Sequence, residues 1–202
     1  MNLSKIFDHL IAKNDLNAVD MHAIMRACMS GELSDSQIAV FLALMRMKGE
    51  SLEELTIAAK MLKEFARPIN LGTGLIDIVG TGGDGKHTFN ISTLSSIIAA
   101  AAGAKVAKHG SNSVSSRSGS SDLLLEAGLR LDLTNEQLKQ CLLETNICFL
   151  YAPYFHQAMH HVRAARQQLG IRSFFNLLGP LINPANVTRH VVGVFDQRWQ
   201  TP

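Results

Sequence analysis

The stretch Asp77–Thr93, read as Asp-Ile-Val-Gly-Thr-Gly-Gly-Asp-Gly-Lys-His-Thr-Phe-Asn-Ile-Ser-Thr, constrains this chain more than any other. The apolar residues leading into it, Leu75, Ile76, Ile78 and Val79, form a short β-branched run that predicts a buried strand over 75–79. Gly80, Gly82, Gly83 and Gly85 then fall within six positions. Glycine lets the backbone take positive φ and lets a ligand come close to the peptide N–H groups. Asn90, Ser92 and Thr93 precede the apolar segment Leu94–Ala102, which predicts a helix. Such residues cap helix starts, where free N–H groups and the dipole favour an anion. A strand, a glycine loop and a helix start, in that order, make a phosphate-binding device.

Four readings of this loop compete. Gly80-x-Gly82-x-x-Gly85 matches the dinucleotide pattern, which wants an acidic residue at the end of the next strand. The next strand-like run, Lys105–Ala107, ends instead in the basic Lys108-His109-Gly110. Gly80-x-x-x-x-Gly85-Lys86 nearly matches the nucleotide P-loop, which needs Ser or Thr after the lysine to hold magnesium; here that residue is His87. Asp84 lies inside the loop, where a bare carboxylate would repel a phosphate. It makes sense if a cation or ribose hydroxyls stand between, as at a phosphoribosyl diphosphate site. The fourth reading, a plain structural turn, leaves the flanking strand and helix start unexplained.

A second basic stretch decides between them. Residues Lys108-His109-Gly110-Ser111-Asn112-Ser113-Val114-Ser115-Ser116-Arg117-Ser118-Gly119-Ser120-Ser121-Asp122 set three basic side chains in a run of small hydroxyl residues. With the first loop, this closely resembles anthranilate phosphoribosyltransferase, whose corresponding segments are Gly-Thr-Gly-Gly-Asp followed by Asn-Ile-Ser-Thr, and Lys-His-Gly-Asn-Arg-x-x-Ser-Ser-x-Ser-Gly-Ser-x-Asp. The segment Phe174-Phe175-Asn176-Leu177-Leu178-Gly179-Pro180-Leu181-Ile182-Asn183-Pro184-Ala185 resembles a third family segment. The resemblance covers nearly the whole chain. It departs where the family has Asn-Arg after Lys-His-Gly and this chain has Ser111-Asn112.

The resemblance implies the second step of tryptophan biosynthesis from chorismate. The amine of anthranilate displaces pyrophosphate from phosphoribosyl diphosphate, giving N-(5-phosphoribosyl)anthranilate, with Mg2+ as cofactor. On the phosphoribosyl diphosphate side it carries over Gly80, Gly83, Asp84, Thr88, Asn90, Ile91, Ser92 and Thr93 from the first loop, with Ser92 as magnesium ligand. From the second loop it carries over Lys108, His109, Gly110, Ser115, Ser116 and Ser120. On the anthranilate side it carries over Gly80, His109, Ser111, His156 and Arg166, with Tyr151, Pro153, Met159 and Pro180 as apolar walls. Arginine suits that role because its planar fork matches a carboxylate. The plainer readings are turn or cap serines, structural histidines and a surface arginine on the helix. Neighbouring His160 and His161 read as surface residues.

Composition fits such an enzyme. The chain has 202 residues, is 47% apolar and carries a net charge of +2. It is long enough for one good core or two small ones, and the near balance of charge argues against general nucleic-acid binding. The longest apolar run, Ile97–Ala102, is far too short to span a membrane. Lys5 and Asp8 interrupt any signal-like start. Cys28, Cys141 and Cys148 have no metal-like spacing and read as reduced thiols of a cytoplasmic protein.

Along the chain, residues 1–70 predict a helical domain. Leu3, Ile6, Phe7, Leu10 and Ile11 share one helical face. Met21, Met25 and Met29 form a stripe in a helix over 18–29, read as core packing. Ser34 or Asp35 opens a third helix that stops near Gly49, and Ser51-Leu52-Glu53-Glu54 is a capping box opening a fourth that ends at Arg67-Pro68. So small a core leaves apolar surface exposed, and the resemblance implies a homodimer contact there. Residues 74–202 predict alternating strands and helices: strands at 75–79, 105–108, 147–151 and 190–195, helices at 93–102, 121–128, 135–144 and 155–168. That alternation predicts a parallel sheet covered by helices, with ligands beyond the carboxyl ends of its strands. The expected fold class is therefore α/β, a small N-terminal helical domain plus a parallel-sheet domain of the nucleoside phosphorylase and phosphoribosyltransferase kind.

The final strand stands without a visible crossover or neighbour, and the family's magnesium-holding Asp-Glu pair, found further along, has no counterpart. The chain thus reads as truncated at its C-terminus, or as completed by another polypeptide. Two other functions stand beside the transferase. One is a nucleoside phosphorylase of similar architecture, against which the arginine and the Gly-Pro-Leu segment speak. The other is a non-catalytic fragment that dimerises or binds phosphoribosyl diphosphate without turnover.

Overall fold

The computed structural model describes residues 1–82, 89–112 and 119–200. Two compact units emerge: residues 1–66 with 156–181, and residues 67–155 with 182–202.

The helical unit contains α1 (Leu3–Ile11), α2 (Ala18–Ser30), α3 (Asp35–Lys48) and α4 (Leu52–Glu64), together with α9 (His160–Leu169) and α10 (Phe175–Leu178) from later in the chain. The capping residues sit where their chemistry requires. Asn2, Asn17, Ser34 and Ser51 each accept a hydrogen bond from the backbone N–H three residues on, and Ser34–Gln37 and Ser51–Glu54 close full capping boxes. Gly31 ends α2 in the left-handed region, φ 74°. The methionine stripe is core: Met21, Met25 and Met29 are buried, alongside Ile24, Ile38, Phe41, Leu42 and Met45.

The unit boundary differs from the sequence division at residues 70 and 74. Residues 156–181 pack with the helices because α9 buries Val162 and Ala165 against α2 and α3, and Phe174 meets the Phe41 ring edge-on at 5.6 Å. The expected helix over 155–168 is broken into α8 (Ala152–Phe155), a 3-10 turn at Gln157–Met159 and α9. His161 is not a surface residue. It is half-buried, and a Cβ added at Gly31 would lie 2.6 Å from its ring.

The α/β unit holds a four-stranded parallel sheet in the order β3-β2-β1-β4, built from β1 (Ile76–Gly80), β2 (Val106–Gly110), β3 (Ile147–Tyr151) and β4 (Arg189–Gly193). Helices α5 (Ile91–Ala101), α6 (Ser120–Glu126) and α7 (Asn135–Thr145) connect its strands, as βαβ chirality and parallel pairing demand. Its core includes Ile69, Leu75, Ala107, Leu138, Leu142, Cys148, Leu150 and Phe155. Cys28 and Cys148 are buried free thiols, pushed up to about 12 by burial, and Cys141 is a half-buried free thiol.

The last strand is not without a neighbour. β4 pairs in parallel with β1, from Ile76 opposite Arg189 to Gly80 opposite Gly193. The long connection after β3 carries the chain past two strands to the other edge of the sheet, so the crossover precedes the strand rather than following it. Every residue of β4 is nonetheless exposed.

Candidate functional site

The site is built on the carboxyl tips of β1 and β2, which lie side by side. β1 ends at Gly80 and runs into the first loop; β2 ends at Gly110 and runs into the second. Gly82 takes φ 66°, in the left-handed region. Gly110 admits no side chain, since a Cβ there would sit 2.8 Å from the Phe149 ring and 3.2 Å from Ser120 Cβ. Gly83, Asp84, Thr88, Ser115 and Ser116, all expected contacts, lie outside the described residues.

The flanks of the two loops meet. Asn90 was expected to cap α5, but its side chain makes no cap bond there. Its Nδ2 donates instead to the Gly119 carbonyl, at 3.3 Å, joining the exit of the first loop to the exit of the second. Ser121 N donates to the Ser111 carbonyl at 3.4 Å. Ile91, Ser92 and Thr93 occupy the first turn of α5, where unpaired N–H groups and the dipole favour an anion. Thr93 Oγ1 is buried with no hydrogen-bond partner among the described residues. Helix α5 begins two residues earlier than expected, which brings Ile91 and Ser92 into that turn.

Lys108 reaches into the sheet as well as toward the exit of the first loop. Its side chain is buried, and its ammonium donates to the Ile78 carbonyl at 2.7 Å and to Ser92 Oγ at 3.3 Å. It therefore spans from β2 across β1 to the start of α5. Burial pulls its pKa down to about 8, against the opposing charge of Asp77.

Two residues that sequence reasoning assigned no role hold this frame. Asp77 is fully buried in β1. It accepts from His109 N at 3.2 Å and from Asn183 Nδ2 at 2.8 Å, and burial raises its pKa while Asn183 and His109 pull it down. Asn183 also donates to the Ala107 carbonyl at 2.9 Å. The signal was present in the strand itself: a carboxylate inside an apolar run must find partners. Its partner, 106 residues away, carried no such mark. His109 is buried beside this brace.

Of the acceptor-side residues, Gly80, His109 and Ser111 belong to the α/β unit, whereas His156 and Arg166 belong to the helical unit. His156 is buried and its carbonyl accepts from Met159 N. Arg166 lies in the last turn of α9 with its guanidinium 5.2 Å from the centre of the Phe175 ring. Burial pulls its pKa down to about 10. No ion pair joins it to a carboxylate among the described residues.

The residues matched by known proteins cover both units. A model described as the glycosyl transferase family helical bundle domain matches residues 4–66, and one described as the glycosyl transferase family a/b domain matches residues 72–201. The chain is 60% identical over 194 residues to an anthranilate phosphoribosyltransferase of Legionella pneumophila (strain Lens), covering 96% of this chain and 56% of that protein. Its backbone resembles the crystal structure of anthranilate phosphoribosyltransferase from Thermus thermophilus, with a TM-score of 0.88 and 42% identity, covering 100% of this chain and 61% of that one. It also resembles the Saccharomyces cerevisiae anthranilate phosphoribosyltransferase in complex with PRPP and Mg, with a TM-score of 0.85 and 30% identity, covering 97% and 59%. The chain thus spans a little over half the length of the relatives it matches.

Proposed function

This chain belongs to the glycosyl transferase family in both its helical bundle and its α/β domain, and from that premise we propose that it transfers the phosphoribosyl group of phosphoribosyl diphosphate to anthranilate. The observation that carries this reading is the junction of two loop exits on adjacent parallel strands, with Lys108 aimed at the first turn of α5. A ligand with a phosphate at one end and a diphosphate at the other needs two anion corners a sugar's length apart. Relatives of this chain carry the same activity in their names, and one is bound to PRPP and Mg.

In the reaction, the anthranilate nitrogen forms a bond to the anomeric carbon as the bond from that carbon to the diphosphate oxygen breaks. Pyrophosphate leaves with the electron pair, and the amine gives up a proton to solvent. The transition state gathers positive charge on the sugar and negative charge on the leaving group, so the protein's task is electrostatic and positional. Asn90, Ile91, Ser92 and Thr93 receive phosphate at the helix start. Lys108 supplies positive charge behind Ser92, and Gly80 and Gly110 let the backbone approach. Arg166 holds the anthranilate carboxylate, and His156, His109 and Ser111 serve the acceptor side. When bound, magnesium would screen the diphosphate charge. Ser92 Oγ is the described oxygen suited to it, and no group of three or more His, Cys, Asp or Glu side chains among the described residues forms a resident cage.

Lys108 gives this reading a pH signature. With its pKa near 8, it loses its charge as pH rises through that value. Losing one charge-assisted contact weakens binding by about tenfold. Calorimetry between pH 7 and pH 9.5 should therefore show phosphoribosyl diphosphate affinity falling in the wild type and staying flat in Lys108→Met. Parallel curves would remove Lys108 from the phosphate corner.

The helical unit leaves Ile11, Val19, Met47 and Leu52 more than half exposed. We propose that this surface forms a homodimer. Light scattering at micromolar concentration should give about twice the 22.0 kDa chain mass; a monomer would count against it. No helix of the described residues is long and apolar enough to cross a membrane, and a cytoplasmic enzyme is the proposed setting.

Anthranilate fluorescence tests the reaction. Loss of signal only when phosphoribosyl diphosphate and magnesium are both present supports transfer. A binding-only role is the second reading. Steady fluorescence together with calorimetric binding of the diphosphate would select it.

A further inference from the structure

We propose that Asn112 and Tyr151 are positioning residues, members of a hydrogen-bonded belt that ties the tips of β1, β2 and β3 together and sets the spacing of the phosphate corners. The proposal rests on the reading that Asn90 and Ser120 face phosphoribosyl diphosphate and Ser111 the acceptor. Tyr151, the last residue of β3, donates its hydroxyl to Asn112 Oδ1 at 2.6 Å. Asn112, two residues beyond β2, donates Nδ2 to Asp122 Oδ1 at 2.7 Å. Asp122, in the first turn of α6, accepts from Gly119 N with its other oxygen at 2.6 Å. The Gly119 carbonyl then accepts from Asn90, which follows β1 and leads into α5.

Each link determines the next. Asp122 is an acceptor on both oxygens, so Asn112 must turn its NH2 toward it and its Oδ1 toward Tyr151. That orientation leaves the tyrosine hydroxyl as the donor. Bonds to a carboxylate are the strong members of such a chain, and linked bonds polarise one another. The belt holds Asn112 and Gly119, which flank 113–118, to a single carboxylate. It thereby fixes Ser111 and Ser120 relative to Asn90. Asn112 is also where this chain departs from the Asn-Arg of the family it resembles. An arginine has no acceptor and could not receive the Tyr151 hydroxyl. The belt in this form depends on asparagine.

Two measurements on the wild type, Tyr151→Phe, Asn112→Ala and the control Tyr154→Phe test this. One is amide hydrogen exchange at Gly119 N–H; the other is calorimetry with phosphoribosyl diphosphate and magnesium. Exchange at Gly119 should quicken about tenfold in Tyr151→Phe and Asn112→Ala, and affinity should fall about five- to tenfold, with the control unchanged in both. Unaltered Gly119 exchange in folded Tyr151→Phe would overturn the belt. Quickened exchange with unchanged affinity would overturn its positioning role. A wild-type chain that binds no phosphoribosyl diphosphate would sink the functional reading and the positioning role with it, while Gly119 exchange still decides whether the belt exists.

Discussion

Replacing Arg166 with alanine should raise the anthranilate KM about 50-fold, because a hydrogen-bonded pair of opposite charges contributes about 1.5–3 kcal/mol, and should move the phosphoribosyl diphosphate KM less than about twofold. The expectation follows from where the guanidinium sits. It is stacked over Phe175, burial disfavours its charge enough to bring its pKa to about 10, and no carboxylate among the described residues offsets that cost. A carboxylate-bearing ligand would. Arg166→Lys should recover little, since an ammonium cannot copy the planar fork or the ring contact. Equal effects on both substrates would reject the role.

The largest effect on stability is expected at Glu54. It is fully buried at the start of α4, and each carboxylate oxygen is committed. Oε1 accepts from Leu16 N at 2.9 Å, and Oε2 accepts from Ser51 N at 2.9 Å and from Lys48 Nζ at 2.8 Å. The Lys48 side chain is only 2% exposed. Glu54→Ala therefore takes one of two carboxylate partners from Lys48, which keeps Asp15 and the Gly49 carbonyl, and leaves two buried backbone donors without acceptors, a loss of about 2–4 kcal/mol. Ser51→Ala, which removes only the cap, should cost about 1 kcal/mol. Denaturant melts of both variants, with unchanged slope, would check the ranking; equal losses would contradict it. The pair also has a pH signature. Burial opposes the charge of Lys48, but hydrogen bonds and charge from Asp15 and Glu54 outweigh it and raise the pKa. That contribution is fully present below the ordinary lysine range and is lost as pH rises beyond it.

Much of this was legible in the residues. The Ser51–Glu54 capping box, the methionine stripe and the glycine at the end of α2 announced themselves because each is a local device, decided within one or two turns of helix. The two strands ending in glycine, at Gly80 and Gly110, were legible for the same reason. Partners distant in the chain were not. Nothing in Val191–Phe195 marks β1 as its neighbour, and nothing in Asn183 marks Asp77. The helix expected over 155–168 carried no mark that α2 and α3, far upstream, belong to the unit that buries it. Lys108 was read as a phosphate contact because lysine in a glycine- and serine-rich run reads that way. Its reach back to Ile78 follows from β2 lying beside β1, a fact of pairing rather than of composition. Asn90 looked like a cap for its own helix and serves the other loop instead.

The account stands on the two strand-tip corners acting on one ligand. A crystal soaked with phosphoribosyl diphosphate and magnesium tests that most directly. It should show the sugar lying across the tips of β1 and β2, one phosphate at the first turn of α5 near Ser92 and the other groups toward Gly110 and Ser120. Density for the ligand elsewhere on the chain, or contacts to one tip alone, would contradict it.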